Sequence, residues 1–148
     1  KLGMADLALV LHATDNAVPG GLPIASLTDQ CWNLEELSAQ YQLFYDRFVP
    51  FEALVNQGIE PRQAFTLRAL MVHAWRRVVL HDPQLPSAML PENWPGQSAR
   101  VLCERLYWKI FNDSESYLKD QLEVDATRPH QLDPDVYQRF SGAPESVR

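Results

Sequence analysis

Between positions 81 and 96 the chain reads HDPQLPSAMLPENWPG, and its four prolines, Pro83, Pro86, Pro91 and Pro95, forbid a helix from passing through. Each proline fixes its own backbone angle and restricts the residue before it, so the segment has little freedom to lose on folding. It is also apolar. Leu85, Met89, Leu90 and Trp94 can pin it to its neighbours, and Gly96 permits a turn into the next helical segment. This reads as a preformed wall, and regular structure must come from its flanks.

Those flanks carry helical signals. Asn33 can accept from first-turn amides while Glu36, three residues on, reaches back, as in a capping box. Leu34, Leu37, Tyr41, Phe44, Tyr45 and Phe48 then recur at steps of three and four, the apolar stripe of one helix. Pro50 should kink or restart that helix, and Gly58 is placed to end it. A second helix starts at Pro61, where a missing amide hydrogen costs nothing, and runs toward Asp82 and Pro83. Its apolar residues cover nearly the whole circumference, which makes it central. His73, Arg76, Arg77 and His81 share one arc of roughly 140° at 100° per residue, leaving a single wet or ligand-facing stripe.

A third helix, over 98–112, puts Ala99, Leu102, Cys103, Leu106, Tyr107 and Ile110 on one face. Arg100, Glu104, Arg105, Trp108 and Lys109 fall on the other, so Trp108 is expected to face outward among charges. Residues 114–122 read as a further helical segment, 128–134 as a loop, and DVYQRF as an aromatic tail. Upstream, ADLALVLHA (5–13) reads as a strand and the Pro- and Gly-rich stretch after it as a linker. The rest of the chain has no second strand pattern. Either the segment completes a sheet from an upstream domain or it is a short helix on the bundle.

A chain of 148 residues that is 46% hydrophobic and 22% charged can bury one good core. No run of about 18 apolar residues suggests a membrane span, so a cytoplasmic location and no membrane partner are expected. The opening Lys1-Leu2-Gly3 is what a piece of a longer chain would show. Cys31 and Cys103 are too few for a disulfide framework or a four-thiolate zinc site, and read as reduced thiols. The net charge of −6 argues against nucleic-acid binding by this chain alone. Yet between Glu60 and Phe111 seven cations (Arg62, Arg68, Arg76, Arg77, Arg100, Arg105, Lys109) outnumber four anions (Glu60, Asp82, Glu92, Glu104), leaving a cationic middle. That middle favours a small phosphorylated or acidic ligand.

Motifs for catalysis are missing. His12, His73, His81 and His130 fit no Ser-His-Asp, HExxH or nucleophile-elbow pattern, and no enzyme is expected. A metal could draw on His73, His81 and Asp82, yet His73 and His81 are two helical turns apart, roughly 12 Å along the axis, too far to share an ion directly, and no metal or cofactor is expected. No glycine-rich phosphate loop appears. The arginines remain: a guanidinium offers a fixed fork of donors for phosphate or carboxylate, although Arg76 or Arg77 could equally pair with Asp82 or Glu92 at the helix end. Trp75 and Trp94 suit core anchors or stacking platforms. Trp108, with Arg105 beside it, suits an interface.

The run AFTLRALMVHAWRRVVLHDPQLPSAMLPENWPGQSARVLCERLY (64–107) resembles the C-terminal domain of the PaaX family, repressors of the phenylacetic acid degradation operon. An R-R pair, then D-P-x-L-P, L-P-x-x-W-x-G and A-R carry the likeness, which extends from CWNLEELSAQYQLFYDRF to VYQRFSG, roughly residues 22–142. The resemblance implies a mainly α fold. Residues 22–148 would be the helical C-terminal domain, and 1–21 the last strand and linker of a ferredoxin-like middle domain. It also implies an N-terminal winged helix for operator DNA outside this chain, a homodimer, and phenylacetyl-CoA or a related aryl-CoA as effector. Within that frame His73, Arg76, Arg77, Trp94 and Arg100 are the candidate effector contacts, and Trp108 and Arg105 the candidate interface. Two alternatives stay open: a ligand-free oligomerisation module, and an acyl-CoA-binding enzyme.

Overall fold

A computed structural model describes residues 31–122 and 134–145 of the chain. The strand and linker expected in residues 1–21, and the loop at 128–133, lie outside the described residues. Among those described, the regular structure is helical and no strand occurs.

Helix α1 (Leu34–Phe48) begins as its cap dictates. Asn33 Oδ1 accepts from the Glu36 amide at 3.0 Å, and the Glu36 carboxylate accepts from the Asn33 side-chain nitrogen, also at 3.0 Å, instead of from the backbone. The stripe Leu34, Leu37, Tyr41, Phe44 and Phe48 is buried. Pro50 restarts the chain as α2 (Phe51–Gln57), which stops at Gly58, whose φ of 92° a side chain would resist.

Helix α3 (Pro61–Val79) takes Pro61 as its first residue, with the Gln63 side chain accepting from the Glu60 amide at 3.1 Å. Its central place holds in part: Ala64, Leu67, Met71 and Val78 are buried, but Leu70 is exposed. Helix α4 (Gly96–Lys109) and helix α5 (Phe111–Leu122) meet at Ile110, so the expected third helix ends earlier and the next begins earlier than periodicity suggested. Apolar residues on both sides of the joint, Leu106, Tyr107, Ile110 and Phe111, are all buried and hide the break from a helical wheel.

The most extensive packing is α5 on α3, followed by α1 on α4. Between α3 and α5, the Arg68 guanidinium meets Glu115 at 2.5 Å and lies over the Phe111 ring, while Phe65 stacks on Tyr117 at 5.3 Å. The aromatic tail is a 3₁₀ segment, Pro134–Ser141, kinked at Arg139 and Phe140. Phe140 and Tyr137 pack on Tyr107 and Phe111, and Arg139 donates to the Tyr107 hydroxyl at 3.0 Å.

That tail corrects one expectation. Trp108 does not face outward: it is 5% exposed and packs against Tyr107 and Phe111. A wheel gives the side of a helix on which a residue lies, but not which other part of the chain covers that side. Here the returning chain brings Gly142 and Pro144 to the same shallow depression. The premise that made Trp108 an interface residue is therefore removed. Arg105 is exposed and pairs with Glu52 of α2.

Candidate functional site

The proline segment leaves α3 through two exposed residues, Leu80 and His81, and Asp82 then fastens it. One carboxylate oxygen accepts from the Tyr41 hydroxyl of α1, and the other accepts from the Gln84 amide at 2.7 Å. The second bond holds Gln84 at φ 54°, an unfavourable angle for a residue with a Cβ. A short 3₁₀ turn, Ser87–Met89, comes next, closed by the Met89 amide on the Pro86 carbonyl at 2.9 Å. Asn93 takes a second left-handed angle, 63°, which Asn tolerates well. Trp94 then turns inward, edge-on to Tyr41 at 5.8 Å.

Gly96 has a reason beyond the expected turn. A Cβ there would sit 2.4 Å from Trp94 Nε1, so only glycine lets the indole lie against the start of α4. Trp75 of α3 completes an aromatic cluster with Tyr41, at 5.9 Å between ring centroids.

Between this wall and the helices lies an open cleft of about 600 Å³, within the range of small-molecule sites. Tyr41, Trp75, Leu85, Leu90 and Trp94 supply its apolar surface, and Asp82, Gln97 and Arg100 its polar groups. The Tyr41 hydroxyl is held well above the ordinary tyrosine range, first by burial and then by its bond to Asp82 and that group's charge, with Arg100 opposing. At neutral pH it is therefore a proton donor that occupies Asp82. The carboxylate's two oxygens are thus both engaged by the protein, and Arg100 is the cation lining the cleft.

The structure brings together two of the five candidate contacts, Trp94 and Arg100. It does not bring His73, Arg76 or Arg77 to them. All three are exposed, and α3 presents Trp75 and Val79 to the cleft while Arg77 lines a separate groove with Arg47 and His81. Nor do Arg76 and Arg77 pair with Asp82 or Glu92, whose carboxylates form no ion pair with them among the described residues. Sequence reasoning gave Tyr41 only a place in the core stripe and Asp82 only a possible pairing with Arg76 or Arg77, and did not join the two. The hydroxyl of Tyr41 is hidden within an apolar stripe, and its partner is 41 positions away. The only local hint was Asp-Pro at a helix end.

Residues 32–120 match the family described as PaaX-like protein C-terminal domain. The chain is also 31% identical, over 154 aligned positions, to the transcriptional repressor PaaX of Escherichia coli K12, an alignment covering 94% of this chain and 49% of that protein. The chain thus spans about half the length of the curated relative it matches. The family match takes in α1 to α4, most of α5 and the whole proline wall, so the cleft is built from the matched residues. By that match the chain belongs to the PaaX-like C-terminal domain family.

Proposed function

We propose that this chain is the effector-sensing and dimerising part of a PaaX-like transcriptional repressor of phenylacetate catabolism. Its effector is phenylacetyl-CoA or a related aryl-CoA, and its role is regulatory, not catalytic. Residues 22–148 form the sensing domain, 1–21 end a ferredoxin-like middle domain, and operator DNA is met by a part of the protein outside these residues. The observation that carries the reading is the cleft beneath the proline wall: an aryl-acyl end fits among Tyr41, Trp75 and Trp94, and the polar tail leaves past Arg100. Ligand in that cleft contacts α1, α3 and α4 together, and so favours one arrangement of the helices over another and, in a homodimer, one relation between subunits.

Calorimetric titration of the chain with phenylacetyl-CoA, free CoA and phenylacetate tests it. The thioester should bind, with free CoA weaker because it lacks the aromatic end. Equal affinity for CoA and its thioester would remove the cleft from the account, and no binding of any of the three would remove the sensing role.

A further inference from the structure

The α1–α3 contact has a second side. Away from the cleft, a groove of about 400 Å³ runs between the same two helices, lined by Leu43, Phe44 and Arg47 of α1, Arg77 and Val78 of α3, and His81 just beyond. No carboxylate lines it. Among the described residues Arg68 pairs with Glu115, Arg105 pairs with Glu52, and Arg139 binds the Tyr107 hydroxyl. Arg47 and Arg77 instead line this groove. Both are exposed, 30 positions apart in sequence yet in one groove, and among the described residues neither has an ion pair. Two cations lining one groove with no carboxylate beside them favour an anion there. His81 borders them with its ring fixed, Nδ1 standing 2.7 Å from the Arg77 carbonyl; a carbonyl only accepts, so Nδ1 carries the hydrogen. Leu43, 60% exposed, gives the groove an apolar rim.

We propose that this groove is a second ligand site, separate from the cleft, for a small phosphorylated molecule with an apolar body. The phosphoryl group is held by the Arg47 and Arg77 forks, and the body lies along Leu43 and Val78. A phosphoryl group fits better than a carboxylate, because its three acceptor oxygens and double charge can use both arginine forks that line the groove, whereas a carboxylate is satisfied by one. A small molecule fits better than a polyanion: the volume is that of a small-molecule site, and the chain around it carries a net charge of −6.

Titration of the whole chain with phenyl phosphate and with inorganic phosphate, followed by calorimetry or by amide shifts in NMR, tests the site. Phenyl phosphate should bind, and more tightly than inorganic phosphate. Arg47→Ala and Arg77→Ala should each weaken it about tenfold or more, as expected for loss of a charge-assisted pair. Arg76→Ala, an exposed neighbour outside the groove, and Arg100→Ala, in the cleft, should leave it unchanged. All four positions are exposed, so helical circular dichroism and the unfolding midpoint should match the parent chain. Absence of saturable binding overturns the proposal, as does an equal loss in Arg76→Ala. Loss in Arg100→Ala would assign the anion to the cleft and overturn it too. Failure of phenylacetyl-CoA to bind would leave this site standing.

Discussion

The stretch of α3 through Met71 and the stretch beyond it, taken as its two halves, sit in opposite kinds of surroundings. In the first, Ala64 and Met71 have no exposed surface, and Phe65 and Arg68 are locked to α5 through Tyr117, Phe111 and Glu115. In the second, Trp75 and Val79 border an open cleft, Arg77 borders a groove, and only Val78 is buried. Dry packing fixes the helix at one end. At the other, the proline segment, fastened to Tyr41 through Asp82, forms the facing wall of the open cleft. With the cleft as the proposed effector site, the difference would separate stability from binding along a single helix, and substitutions in the two halves should have separable effects.

The largest effect belongs to the dry half. Phe111→Ala removes a ring in contact with Arg68, Tyr107, Trp108 and Tyr137, and should cost about 3–5 kcal/mol in denaturant unfolding. Whatever remains folded should bind ligand as before. Gly96→Ala makes the converse change. Its Cβ would displace Trp94, costing about 1–3 kcal/mol of stability, while phenylacetyl-CoA affinity and tryptophan emission change markedly. If Gly96→Ala binds like the parent chain, Trp94 is not part of the site.

How far the sequence showed this division depends on whether a feature is local. The cap at Asn33, the start at Pro61 and the stop at Gly58 are each signalled within three or four residues, and each appears where those signals put it. The prolines marked where one helix ends and a non-helical segment runs to the next, and of the five candidate contacts Trp94 and Arg100 line the cleft. What joins distant segments was not legible. Tyr41 meets Asp82 across 41 positions, the tail reaches Tyr107 across 32, and no spacing rule announces either. The Trp108 expectation failed for that reason, and so did the grouping of Arg76 and Arg77 with the wall. Periodicity assigned the arginines to one arc, but only packing decides which arc faces the cleft.

The smallest of the expected effects is a pH dependence. Burial pushes the Cys103 thiol up from its ordinary 9.0 to about 12, with Glu104 adding to the rise. Below pH 9 the thiol is neutral folded and unfolded, and stability is indifferent to it. Above pH 9 the unfolded chain gives up the proton and the folded chain does not, so stability falls, by at most about 1.4 kcal/mol per pH unit. Tyr41 acts in the same direction from its ordinary 10.0 upward. Unfolding midpoints at pH 8, 9 and 10 should show the decline, and a Cys103→Ala chain should lose the part that begins near pH 9. Thiol reagents should label exposed Cys31 at once and Cys103 only on unfolding.

The central claim is that the open cleft beside the second half of α3 holds the aromatic end of the effector. A crystal structure of the chain with phenylacetyl-CoA tests it most directly. The account predicts a phenyl ring among Tyr41, Trp75 and Trp94 with the tail passing Arg100; a ring seated anywhere else, with this cleft holding only water, would contradict it.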